Sequence, residues 1–161
     1  MINVKPLLTA SLVWFLGVGL AADARAQAGS GGEGLPACVA AAKWSSDPIP
    51  GQDLWSAGGP GGAYVAAKTN VGNLALLSVS ALDTLVIESS QLFDPAGKPI
   101  SKKEYLRVPG GSTFDLDTGI AASDTTADLK WNTGPGGKSL QPLNNAMVYT
   151  CRPSDRQPTP R

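Results

Sequence analysis

The sequence predicts an all-β protein: a single antiparallel β-sandwich or small barrel, with room for one short N-terminal helix and closed by one disulfide. Three observations carry that prediction. Short runs rich in apolar and β-branched residues recur every roughly 8–15 residues from position 63 onward. Proline and glycine, 13 and 19 of 161 residues, separate those runs as turns. The two cysteines, Cys38 and Cys151, stand near the two ends of the β-rich region. No βαβ rhythm, heptad pattern or internal repeat competes with this reading.

The elements follow in order. Residues 1–28 read as a secretory signal peptide: Lys5 precedes an apolar run from Leu7 to Ala21, and Ala24-Arg25-Ala26 and Ala26-Gln27-Ala28 both fit small-x-small cleavage. The run falls short of the roughly 20 apolar residues of a membrane-spanning helix. An uncleaved anchor, suggested by Trp14 and Phe15, is the competing reading. The mature chain would start at Gln27 or Gly29, with residues 29–34 a flexible leader and residues 35–152 the sandwich domain. Residues 35–44 (LPACVAAAKW) suit a short helix with Pro36 in its first turn. Residues 45–62 are dense in proline and glycine, read as loop, and carry Trp55.

Strands are expected at 63–69, 73–80, 84–93, 105–108, 112–117, 127–131 and 146–151. Residues 73–80 (NLALLSVS) are apolar on both faces, which suits a central strand in a layered core. Asp94-Pro95-Ala96-Gly97-Lys98 has the chemistry of a tight turn: proline presets φ and glycine supplies a positive one. Residues 112–117 (STFDLD) alternate, with Phe114 and Leu116 inward and Asp115 and Asp117 outward. Residues 132–145 read as a glycine-rich connection, and residues 153–161 as a disordered tail. The phrases "LFDPAGKPI" and "RVPGGSTFDL" resemble hairpins of bacterial immunoglobulin-like sandwiches. That resemblance is one of turn style over about two dozen residues; it implies an immunoglobulin-like arrangement and carries no functional motif.

Charge is balanced, 13 basic against 13 acidic residues with no block of either sign. Neither nucleic acid nor an anionic membrane surface is therefore an expected partner. In an exported chain two cysteines pair, and a Cys38–Cys151 bridge would close almost the whole domain into one loop. Such a loop stabilises by about 4–5 kcal/mol in the chain-entropy model. The rival reading, Leu35-Pro36-Ala37-Cys38 as a lipobox, suffers from Pro36 and from the polar stretch 29–34 that separates it from the apolar run. The expected location is periplasmic or secreted, with no integral span after signal cleavage.

The chain contains no histidine. Ser-His-Asp and Cys-His catalysis are excluded, and the usual zinc and copper sites lose their main ligand. Ser101-Lys102-Lys103 lacks the Ser-x-x-Lys spacing of a dyad and reads as a solvated connection. Asp115 and Asp117 lie two apart on one strand face, with Asp124 and Asp128 nearby. They suggest either a calcium site, through a partial Asp-x-Asp-x-Gly, or a glycosidase pair. As the polar face of an alternating strand they need neither role. The stretch "WNTGPGGKSL" ends like a phosphate-binding loop, but Asn132 stands where the first glycine belongs and Pro142 follows too soon for the required helix. Nucleotide is therefore not an expected ligand. Trp44, Tyr64, Tyr105 and Trp55 are candidate contact residues; Trp131 and Tyr149 are expected in the core, and Trp55 is expected to pack under its loop.

No catalytic, cofactor-binding or metal site is assigned on this reading, and the disulfide Cys38–Cys151 is the one functional pairing. The expected function is an exported, non-enzymatic binding, adhesion or accessory-subunit module of the bacterial envelope, with a protein or glycan partner. The alternatives are a small carboxylate-dependent hydrolase and a calcium-stabilised structural envelope protein.

Overall fold

The computed structural model describes residues 34–56 and 62–156. The expected signal peptide, nearly all of the expected leader and residues 157–161 of the expected tail lie outside the described residues. Among the described residues ten strands build two antiparallel sheets, and neither closes into a barrel. In chain order they are β1 (Ile49–Pro50), β2 (Ala63–Lys68), β3 (Leu74–Ala81), β4 (Leu85–Phe93), β5 (Pro99–Val108), β6 (Thr113–Asp115), β7 (Ile120–Ala121), β8 (Leu129–Gly134), β9 (Gly137–Pro142) and β10 (Met147–Thr150). One sheet runs β10-β2-β3-β4-β5 and the other β1-β9-β8-β6-β7. Among the described residues two short helices, α1 (Ala37–Ala40) and α2 (Gly51–Ser56), precede β2.

The main core lies between the sheets. Val65, Leu77, Val79, Leu85 and Ile87 from the first sheet meet Phe114, Leu129, Trp131 and Leu140 from the second, and all are buried. Leu54 of α2 joins them. β3 is apolar on both faces, as its sequence predicts, because a second layer covers its outer side. There Leu74 and Leu76 pack with Leu35, Val39, Trp44 and Tyr149 around the Cys38–Cys151 disulfide. The bridge spans 113 residues and both cysteines are buried. It pins α1 onto the outer face of the sheet, beside β10.

Several sequence expectations are corrected. Of the expected loop 132–145 only 135–136 and 143–145 are connections: β8 continues to Gly134 and β9 (137–142) pairs back with it, joined by only Pro135 and Gly136. The glycines that read as a connection are hairpin residues; Gly137 has φ 103°, a region that penalises any side chain. Residues 45–62 hold β1 and α2. The helix expected over 35–44 shortens to α1, because Ser45 must run extended to exchange two backbone hydrogen bonds with Val148 at 3.1 and 2.9 Å. Ser101-Lys102-Lys103 lies inside β5 and pairs with Leu92, Gln91 and Ser90. Residues 153–156 of the expected disordered tail form a 3-10 turn, held by Asp155 accepting from the Arg152 amide and the Tyr149 hydroxyl at 2.9 Å. Tyr149 is accordingly half-buried, while Trp131 is fully buried as expected.

Candidate functional site

The clearest concavity is a cleft of ≈370 Å³ where β5 faces β6 and the turn after it. Strand lengths explain it. β5 is a ten-residue edge strand, whereas β6 and β7 on the opposing sheet have three and two residues. The short strands leave the sandwich incompletely covered at that edge. Ile87, Leu106, Phe114 and Leu116 form an apolar floor, and Ser90, Lys103, Glu104 and Asp115 supply polar groups around it. An apolar cavity of a few hundred Å³ with a few convergent polar groups has the general form of a binding pocket.

Tyr105 stands on the rim. It is 66 % exposed and has φ 59°, in the left-handed region where a non-glycine residue costs roughly 1–2 kcal/mol. Among the described residues nothing pairs with the outer side of β5. That edge is nonetheless poorly suited to receive a strand. Pro99 lacks a donor, Lys102, Glu104 and Arg107 charge it, and the left-handed Tyr105 interrupts its line. Lys103 turns towards the neighbouring turn, where its Nζ donates to the Thr118 carbonyl and its stem crosses Gly119. The cleft, and not the strand edge, is therefore the receptive feature on this side of the sandwich.

Asp115, which lines the cleft, also belongs to an acidic arrangement. β6 ends at Asp115, so Asp117 lies in the following turn and not on the same strand face, a correction to the alternation read from STFDLD. Asp115 Oδ1 accepts the Asp117 and Thr118 amides at 2.7 and 3.2 Å, which folds the turn. Asp117 Oδ1 accepts from Asn73 Nδ2 at 2.8 Å. Asp128, fully buried, accepts the Asn70 amide through Oδ1 and the Leu116 amide through Oδ2, at 2.7 and 2.8 Å. Carboxylate oxygens of Asp115, Asp117 and Asp128 come within 4.8 Å of one another. Asp124 does not join them; it faces Lys130 at 3.7 Å. Burial raises the Asp128 carboxyl above its ordinary value, against the lowering effect of its two amide donors, and the Asp117 and Asp115 charges add to the rise. Three of these acceptors join the β2–β3 loop of one sheet to the turn after β6 on the other. The cluster acts as a staple between sheets, with every member accepting at least one N–H.

The cleft was not visible in the sequence, because it depends on the unequal lengths of strands in opposite sheets. Asp128 was visible only as a neighbour of Asp115 and Asp117. Trp55 departs from expectation: it is 56 % exposed on α2 and does not pack under a loop. The "GGKS" of the phosphate-loop lookalike spans the hairpin turn at Gly136 and the start of β9, with no helix behind it, and Lys138 Nζ pairs with Asp83 Oδ1 at 2.8 Å. No helix among the described residues is long and apolar enough to cross a membrane. Comparison of the chain with protein-family models, curated proteins and solved structures gives no match, so its fold and its surface chemistry are the basis for a functional reading.

Proposed function

We propose that this chain is an exported, non-enzymatic binding module that docks a protein partner by accepting one of the partner's apolar side chains in the cleft beside β5. The cleft carries the proposal: its apolar floor of Ile87, Leu106, Phe114 and Leu116 and its exposed, strained Tyr105 match the anchor pockets of protein interfaces. Strain concentrated at such a rim is the kind of local cost that accompanies recognition sites. The buried disulfide fits an oxidising compartment and so supports export. The test is capture of partners by wild type and by Ser90→Trp, which fills the cleft from β4. A partner held by wild type and lost by the variant supports docking there; a partner held equally by both removes it.

A carboxylate hydrolase has less support. The carboxyl that is pushed up is Asp128, which lines neither the cleft nor the hollow beside Trp55 and has both oxygens engaged by amides. A calcium-stabilised structural protein has one observation behind it, the 4.8 Å grouping of Asp115, Asp117 and Asp128. Calcium takes about 6–8 oxygens, and these carboxylates already serve backbone donors. A melting temperature that rises with calcium and falls with chelator supports that reading; an unchanged one removes it.

A further inference from the structure

At the other edge of the β1-β9-β8-β6-β7 sheet lies a second, more open concavity that the cleft reading does not use. It is a hollow of ≈780 Å³ beside Trp55. α2 is only six residues long, and its two large apolar residues divide the work. Leu54 is 2 % exposed and plugs the core; Trp55 follows it and stands out of the surface. The β8–β9 hairpin turn forms the opposite wall. Gly136 and Gly137 give that wall no side chains, and a Cβ at either would meet nothing within 4 Å. Gly137 needs its glycine for φ 103°, but Gly136 has no positive φ, so the backbone alone does not require a glycine there.

The polar groups around the hollow narrow the ligand. Gln52 offers an amide with donors and an acceptor. Lys138 is the one cationic side chain lining it, and its Nζ is neutralised by Asp83 at 2.8 Å. An anion would have to break that pair. The wall and floor are otherwise glycine backbone and Pro50, too bare to grip an apolar anchor. What remains is an electron-rich indole face next to an uncharged amide and backbone groups. That surface suits a ring with weakly positive C–H groups on one face and hydroxyls around its rim.

We propose that Trp55 is the stacking platform of a binding site for a neutral glycan, with Gln52 and the Gly136–Gly137 backbone taking its hydroxyls. The site stands apart from the cleft, so either reading can fail without the other.

The experiment is isothermal titration of the disulfide-intact mature protein with neutral hexasaccharides: cellohexaose, laminarihexaose, maltohexaose and chitohexaose. At least one is expected to bind. Trp55→Ala should weaken that binding about tenfold or more while leaving the melting temperature unchanged, because the side chain is largely exposed. Trp55→Phe should retain part of the affinity, and Gly136→Phe, which narrows the hollow without backbone strain, should weaken it. Tyr105→Gly, at the cleft, should leave it intact. The proposal is overturned if none of the four binds at millimolar concentration, or if Trp55→Ala binds as wild type does.

Discussion

Asn70 and Asp128 are 58 residues apart in sequence, yet the Asn70 amide donates to Asp128 Oδ1 at 2.7 Å, and the other oxygen of the same carboxylate holds Leu116. One buried side chain thus fastens the β2–β3 loop to the turn after β6. Asp128→Asn keeps the shape but replaces one acceptor by an N–H donor facing an amide. It should destabilise by about 1–3 kcal/mol, the cost of a buried unsatisfied pair. Urea titration of both proteins measures it; equal midpoints would mean that the staple contributes nothing.

The pH dependence of that difference has a definite sign. The Asp128 carboxyl is raised from 3.8, chiefly by burial. Its contribution is therefore fully present below 3.8 and is lost as pH rises through the folded-state value. Wild type should lose ground relative to Asp128→Asn between pH about 4 and neutrality. Asp83 and Asp155 are lowered, so their effects fall at the acid side of 3.8 and are common to both proteins. A wild type that gains on the variant over that range would show that the amide bonds outweigh burial.

Tyr105→Gly should stabilise the fold. Glycine takes φ 59° without the penalty, offset by its greater freedom in the unfolded chain. A net gain of up to about 1 kcal/mol corresponds to a rise in melting temperature of roughly 3–6 °C. The same change removes the exposed ring from the cleft rim and should weaken partner binding. Stability and binding moving in opposite directions is the expected signature of a strained contact residue; a variant that loses both would place Tyr105 in the fold alone.

Replacing Cys38 and Cys151 together by serine should cost about 4–5 kcal/mol, a large part of the 5–15 kcal/mol typical of a domain. The loss should appear first in the outer layer, where Leu35, Trp44 and Leu74 pack around the bridge. Hydrogen exchange across α1 and β10 measures it. Because both cysteines are buried, reductant should leave the native protein oxidised until it unfolds; rapid reduction under native conditions would contradict the described burial.

Much of the fold was legible because its signals are local. The Asp94–Lys98 turn forms as its residues demand, with Asp94 Oδ1 accepting the Ala96 and Lys98 amides at 2.9 Å and Gly97 at φ 89°. β3 shows its two covered faces in its composition, and Cys38 and Cys151, placed near the two ends of the β-rich region, form the expected pair. The misreadings share a cause. Glycine and proline mark turns without giving their length, so a two-residue hairpin turn at Pro135-Gly136 hid β9. The pairing of Trp131 with Leu140 was the signal available, two apolar residues placed symmetrically about that turn. The staple and the cleft were less visible still. Asn70, Leu116 and Asp128 meet only through tertiary structure, and the cleft follows from β5 outrunning β6 and β7.

The most direct test of the binding reading places a photoreactive residue at position 105, on the cleft rim, and a second at Trp55, which is 56 % exposed on α2 beside the other edge of the β1-β9-β8-β6-β7 sheet. After irradiation of the protein in its native surroundings, position 105 should give one dominant protein adduct that Ser90→Trp abolishes, and position 55 should not give it. No adduct at position 105, or the same adduct from both positions, would contradict a binding module that works through the cleft beside β5.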